Sequence, residues 1–356
     1  MNVTHDLYPN HYLVTHTVGP SQDGIRLDRF LKERYRRRSR EKIQESIAQG
    51  IISIKRAITA HAAPGKAKPS SPLLSGDQVL VLTERKAEPD VCFDYRVLYE
   101  DEYIFVIDKP TNLPVHPAGR YFFNTLIVHL RTQGFTLPLA HEREYFLAHR
   151  IDRETSGVLV LTKDKDACTH IIGQFAKRIT KKTYLAVAHG HAPEIFTVAE
   201  PMGRAKNSRI RLKMDVVPVE EGGQTAHTDF RCLQHFKDAR GREFSLLECS
   251  PRTGRQHQIR LHLLCAGHPI VGDKLYGVDE SQSIRFFEKG EGRESDEPAG
   301  GIEFYRNIPA ELWDQLILPR HALHAAKLAF EHPKTGKWLE FTSPLPTDLA
   351  AFISNG

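Results

Sequence analysis

From residue 90 onward the chain alternates short β-branched and aromatic runs with loops, but not in the strand–helix–strand order that a parallel sheet requires. Candidate strands stand at RVLYED (96–101), YIFVIDKP (103–110), GVLVLTK (157–163), TYLAVAHG (183–190), FSLLECS (244–250) and KLAFEHP (327–333). Helices are expected in ACTHIIGQFAKRI (167–179), where Ile171, Ile172 and Phe175 follow helical spacing, and in RQHQIRLHLLCAG (255–267), which ends at Gly267. The pattern predicts an α+β fold: a domain with a largely antiparallel mixed β-sheet flanked by helices and loops. A chain of 356 residues, 40% hydrophobic and 26% charged, also has room for a second, smaller unit with its own core.

That smaller α+β unit is expected before residue 90. HYLVTHTV (11–18) reads as a strand, and after Gly24 the run IRLDRFLKERY places Leu27, Phe30 and Leu31 on one helical face. SREKIQESIAQG reads as a second helix with Ser39 as N-cap, Ile43 and Ile47 four apart, and Gly50 as its stop; Lys42 does not complete a capping box. IISI (51–54), the loop AAPGKAKPSSP (62–72) and the strand in SGDQVLVLT (75–83) complete the unit. The expected boundaries are 1–85 and 86–356. Residues 24–56 hold 11 Lys or Arg against 4 Asp or Glu, whereas the whole chain is only +5. This end suits a polyanion. Residues 279–303 hold 8 acidic against 3 basic side chains, and 279–320 reads as an acidic insertion with one short helical turn around PAELWDQLI.

Five cysteines, none closer than 16 residues to another, suggest neither a disulfide framework nor a paired-cysteine zinc site, so they read as reduced, mostly buried thiols. No apolar run approaches the ~20 residues that span a bilayer, and the start MNVTHDLYPNHYLVTH lacks a basic segment followed by an apolar one. A cytoplasmic protein without a membrane partner is expected. GxxxxGK[ST], GxGxxG after a strand and HExxH are all missing, and His257/His262 and His321/His324 lack the i, i+4 spacing of two ligands on one helix face.

Two polar constellations remain. In HRIDRETSGVLVLTKD (149–164) a charged loop runs straight into an apolar strand, the kind of loop that carries active residues. Arg150 and Asp152 there form either a functional pair or a surface ion pair, and Ser156 with His149 and Asp152 is a conceivable hydrolase set, although the nucleophile-elbow glycines are missing. In SPRTGRQHQIRLHLLCAGHPIVGDKLYG (250–277), Arg252, Arg255 and Arg260 gather near a strand-to-helix junction, where phosphate or carboxylate is the natural guest and a solvated basic face is the plain alternative.

The ordered motifs DKPTNLPVHP (108–117), HRIDRETSGVLVLTKD, KTYLAV (182–187), TGRQHQIRLHLLCAGHPIVGDKLYG (253–277), HALHAAKLAFEHPKTG (321–336) and SPLP (343–346) resemble those of RluA-type pseudouridine synthases. RLDRFL, SREKIQESIAQG and SGDQVLV resemble the small RNA-binding domain named after ribosomal protein S four, departing at Lys55, Arg56 and Ala57 and in the loop 59–72. Ile151 stands where the catalytic family usually has leucine and Gln256 where it has threonine, and the acidic insertion is longer than usual.

The resemblance implies isomerisation of uridine to pseudouridine in RNA without metal or organic cofactor, with Asp152 as the essential carboxylate. Burial raises a carboxylate pKa by up to about 3–5 units and a guanidinium at ~4–6 Å lowers it by roughly 1–3. By its place in the motif, Arg260 is that cation. Tyr184 is implied to stack on the extruded base with its phenol near carbon 5, Arg150 to brace the vacated helix, and Leu261 to floor the uracil. Ile151, Arg255, Lys109 and His116 are further substrate-binding candidates, with Lys109, Pro110, His116 and Pro117 forming a loop wall, His149 a similar structural support, and Thr155, Ser156 and Gly157 setting the path of the Asp152 loop. Arg36, Arg37, Arg38, Arg40 and Lys42 are the implied RNA contacts of the small unit. Large-subunit ribosomal RNA, free or in a precursor particle, is the expected partner, with transfer RNA or a non-catalytic assembly role as alternatives; a monomer is expected.

Overall fold

A computed structural model describes residues 3–7, 11–36, 38–57, 65–84, 88–119, 121–132, 144–288 and 310–355. The chain divides into two compact units, Met1–Ala87 and Glu88–Gly356.

The first unit contains β1 (Val3–Leu7), β2 (His11–Thr17), α1 (Leu27–Arg34), α2 (Arg40–Ala48), β3 (Ile52–Lys55), β4 (Gly65–Lys66) and β5 (Gln78–Glu84), with its strands in the antiparallel order β1-β2-β5-β3-β4. Leu27, Phe30 and Leu31 of α1 and Ile43 and Ile47 of α2 bury against Val79 and Val81 of β5, as their spacing predicts. Ser39 Oγ accepts the Lys42 backbone N–H at 3.2 Å and caps α2. Arg40 pairs with the buried Asp28 at 3.1 Å. Lys32 Nζ donates to the carbonyls of Arg36 and Arg38, fixing the basic turn so that Arg36, Arg40 and Lys42 are exposed and Arg38 is half-buried. Arg37 lies outside the described residues.

The second unit contains β6 (Arg96–Glu100), β7 (Ile104–Lys109), α3 (Leu126–Thr132), β8 (Phe146–Leu147), β9 (Ser156–Thr162), α4 (Lys165–Ala176), β10 (Lys181–His189), β11 (Ile195–Val198), β12 (Met202–Arg204), β13 (Met214–Val216), β14 (Thr228–Lys237) and β15 (Glu243–Pro251). After these come α5 (Gln258–Cys265), α6 (Glu280–Glu288), α7 (Ala310–Leu316), β16 (Leu323–Glu331), β17 (Trp338–Thr342) and α8 (Thr347–Ser354). The main sheet runs β11-β14-β15-β10-β16-β9-β7-β6, with β17 on β16 and β8 on β9. Its pairings are antiparallel except between β16 and β9.

All of β9 is buried, the near-continuous apolar run of a strand covered on both faces. Val158 and Val160 pack with Ile171 of α4, while Ile259 and Leu263 of α5 join a second core around Phe230, Phe244 and Leu247. The insertion differs from expectation: besides the turn at Ala310–Leu316 it opens with a full helix, Glu280–Glu288. Asp279 initiates that helix by accepting the Ser281 N–H at 2.8 Å, and Ile284 turns inward, a signal outweighed in the sequence by the surrounding acidic residues. Residues 289–309 of the insertion lie outside the described residues. Of the cysteines, Cys168 and Cys249 are buried and Cys265 is exposed. Among the described residues no helix is long and apolar enough to cross a membrane.

Candidate active site

The loop between β8 and β9 carries Arg150, Ile151 and Asp152, and its exit is fixed by Gly157. At φ +110° this residue lies where side chains are rarely tolerated, and a Cβ would come 2.2 Å from the Ala325 carbonyl oxygen. Its lack of a side chain lets β9 lie directly beside β16, in the parallel register His324↔Ser156 and Ala325↔Gly157. The Thr155 N–H donates to the Asp152 carbonyl at 3.1 Å, and Thr155 Oγ1 meets His321 Nε2 at 2.8 Å. Glu154, buried between them in sequence, accepts from Lys274 Nζ at 2.8 Å and from the His321 N–H at 3.1 Å. The paired and hydrogen-bonded state offsets the cost of burying these charges.

Asp152 Oδ2 accepts from Arg260 Nη1 at 2.8 Å. The other edge of the same guanidinium is held by Asp273, through Nε to Oδ2 at 2.6 Å and Nη2 to Oδ1 at 2.9 Å. Asp273 Oδ1 also accepts the backbone N–H groups of Leu275 and Tyr276 at 2.9 and 3.0 Å. One arginine is thus clamped between two carboxylates, one fully buried and one 28% exposed toward open space. Burial works against ionisation of Asp152, but the charge and hydrogen bond of Arg260, joined by His257 once that ring is protonated in acid, hold it well below the usual carboxylate range. Burial also pulls His257 down to about 4 and His321 to about 3, so both are neutral at pH 7 and Arg260 is the cation that persists there.

His257 precedes α5 in the left-handed conformation, φ 57°. Its Nδ1 lies 3.0 Å from Tyr276 Oη, which accepts the Met214 N–H at 2.9 Å, and its Nε2 lies 3.9 Å from Asp152 Oδ1. Tyr184 sits on β10 between Cys249 of β15 and Ala325 of β16. Burial, with the Asp152 charge nearby, pushes its phenol above the ordinary range.

Two cavities meet at Asp152. One, of about 480 Å³, is also lined by Tyr184, Lys182 and Leu323; the other, of about 580 Å³, by His116, Tyr121 and Lys274. Arg150, Ile151, Arg255, His257 and Arg260 border both. Both volumes lie in the range of small-molecule sites. The structure therefore brings together Asp152, Tyr184, Arg260, Arg150, Ile151, Arg255 and His116; Arg150 Nη1 reaches His116 Nε2 at 3.0 Å, and Arg255 Nε donates to the Thr225 carbonyl at 3.2 Å.

Two expectations are corrected and one alternative is dismissed. Lys109 is fully buried, its ammonium donating to the carbonyls of Pro110, Leu113 and Arg153 at 2.8, 3.0 and 3.1 Å, so it ties loops together and reaches neither cavity. Leu261 packs with Met202, Leu275 and Tyr276 rather than lining a cavity, because one residue along a helix turns the side chain by about 100° from Arg260; Ile259 is the apolar residue of α5 that faces the first cavity. The Ser156–His149–Asp152 set does not assemble: buried Ser156 Oγ meets His324 Nδ1 at 3.0 Å, while His149 accepts the Val160 N–H at 3.1 Å and stacks on Phe175. Sequence reasoning missed Asp273, His257, Tyr276 and Lys182. The available signal for Asp273 was a carboxylate placed directly after the apolar stretch PIVG (269–272).

Residues 103–264 match the family model described as RNA pseudouridylate synthase. The chain is 32% identical, over 97% of its length and 88% of the relative, to ribosomal large subunit pseudouridine synthase D of Nitrosomonas europaea. An uncharacterized RNA pseudouridine synthase of Chloroflexus aurantiacus is 35% identical over 93% of this chain and 90% of its own. Among solved structures, human RNA pseudouridylate synthase domain containing 4 aligns with TM-score 0.51 at 26% identity, covering 73% of this chain and 92% of that one.

Proposed function

This chain belongs to the RNA pseudouridine synthases of the RluA type, and from that premise we propose that it isomerises uridines of large-subunit ribosomal RNA with Asp152 as the catalytic carboxylate. The enzyme is an isomerase: the N1–C1′ glycosidic bond of the uridine breaks, the uracil turns, a C5–C1′ bond forms, and the proton on C5 is lost while N1 gains one. The observation that carries the assignment of Asp152 is its Arg260 contact, itself braced by Asp273, at the junction of two cavities that Tyr184 and Arg150 also line.

An ionised, anchored carboxylate is the group such a rearrangement needs as nucleophile or base. Tyr184 shares the first cavity with Asp152 and suits stacking on the uracil; Arg150, exposed at the rim, suits bracing the strand from which the base leaves. None of these steps calls for a metal or organic cofactor. Arg36, Arg38, Arg40 and Lys42 of the small unit offer additional phosphate contacts, which suit a large folded RNA, and we expect a cytoplasmic monomer. The large-subunit target follows the name of the Nitrosomonas relative.

Tritium release from C5-labelled uridine tests this reading in ribosomal and transfer RNA transcripts and in a precursor ribosomal particle. Release from large-subunit RNA, lost on the order of 10⁴–10⁶-fold in Asp152→Ala, is expected. Release from transfer RNA alone would reassign the substrate, and release undiminished in the variant would remove Asp152 from the chemistry.

A further inference from the structure

One wall of the 480 Å³ cavity comes from the end of α4 and the start of β10: Ile172, Phe175, Ala176, Arg178 and Lys182. The chemistry described above uses none of them. Ile172 is 46% exposed although apolar, and residues 177–182, KRITKK, hold four cations and no acid. Among the described residues neither Lys177 nor Arg178 has a carboxylate partner.

Arg178 occupies an unusual backbone position. It follows the C-cap Lys177 with φ 59°, its N–H donates to the Phe175 carbonyl at 3.1 Å, and the Ile179 N–H donates to the Gln174 carbonyl at 3.0 Å. These two bonds define a helix-ending turn whose left-handed residue is most often glycine. The turn needs only the backbone of residue 178, and Lys177 already places a cation at the helix end. The side chain retained at this strained position is exposed and faces the cavity that Asp152 also lines.

We infer that this wall is a subsite for the nucleotide flanking the modified uridine, with Ile172 and Phe175 presenting apolar surface to its base and Arg178 and Lys182 holding its phosphate. The inference rests on the pseudouridine synthase reading of the cavity. Lys182 Nζ donates to the Thr253 carbonyl at 2.9 Å, which leaves two of its three donors for a phosphate. Burial pulls Lys182 down to about 8, so it is still mostly charged at pH 7. Apolar contact to a base together with cationic contact to the backbone is how single-stranded RNA is gripped.

The test uses the full chain and a labelled large-subunit ribosomal RNA transcript, with Kd measured across a salt series alongside tritium release. Arg178→Gly is expected to raise Tm by about 2–4 °C through relief of strain. The same variant should weaken RNA binding about fivefold at 0.1 M salt and flatten the slope of log Kd against log salt by about 0.7. Arg178→Lys, which keeps the charge, should recover most of the affinity. An Arg178→Gly protein with unchanged affinity and slope overturns the subsite, as does one whose Tm falls, since the arginine would then serve the fold. Asp152→Asn separates the two ideas: tritium release that persists in it overturns the catalytic reading whatever Arg178 does, and release that vanishes in it leaves the binding data to decide the subsite.

Discussion

Arg260 stands between Asp152 and Asp273, and its planar fork is what allows one side chain to serve both. Nε and Nη2 are committed to Asp273, which leaves Nη1 aimed at Asp152 with no freedom to swing away. Lysine would keep the charge and lose the fixed directions. Arg260→Lys is therefore expected to lower kcat by about 10²-fold or more with a smaller change in KM, because the lost interaction positions a reacting group rather than the RNA; single-turnover tritium release measures it, and near-normal turnover would contradict the role. The motif alone pointed to Arg260 and Asp152. It did not reveal Asp273, whose partnership spans 13 residues across a helix end and a glycine-containing loop and obeys no periodicity.

At the scale of elements, the parallel seam between β9 and β16 is what aims the Asp152 loop. Gly157→Ala would force a Cβ against the Ala325 carbonyl in a backbone conformation that alanine avoids. A loss of roughly 2–4 kcal/mol is expected, read as a lower urea midpoint at unchanged m-value, with activity falling as the seam opens. The core strands were legible because β9 is a continuous apolar run and the opening helices carry clean spacing and a serine cap. β14 was not, because a register shift between Cys232 and Gln234 breaks the two-residue alternation that would have announced it. The strands β11, β12, β13 and β17 are too short, at three to five residues, to stand out from the loops around them.

Across the whole catalytic unit, buried neutral histidines set the response to acid. His149 and His321 are pulled to about 3 and His257 to about 4, each chiefly by burial. His149 must stay unprotonated at Nε2 to accept the Val160 N–H. Folded-state values below the unfolded value of about 6.5 mean that the unfolded chain binds more protons between them, so this stability is complete above pH 6.5 and is lost as pH falls. Each histidine is expected to cost about 2 kcal/mol by pH 5. Asp273, held down to about 2 against its burial by Arg260, adds a further loss only below the usual carboxylate range. Calorimetry from pH 8 to pH 4 should show Tm beginning to fall near pH 6.5; a Tm constant down to pH 5 would mean that these histidines are not held neutral.

Legible in the residues alone were the α+β class, the places of the central strands along the chain, the two opening helices with their cap, the basic amino-terminal stretch and the family. Each of these is written in local periodicity, composition or motif. Long-range packing, by contrast, spends Lys109 on three carbonyls, turns Leu261 away from the cavity, sets Ser156 against His324 and braces Arg260 with Asp273. Asp152 and Arg260 are 108 residues apart, and Ser156 and His324 are 168 apart. Partners at such separations are chosen by which strands pair and how a helix is rotated against them, which no local pattern records.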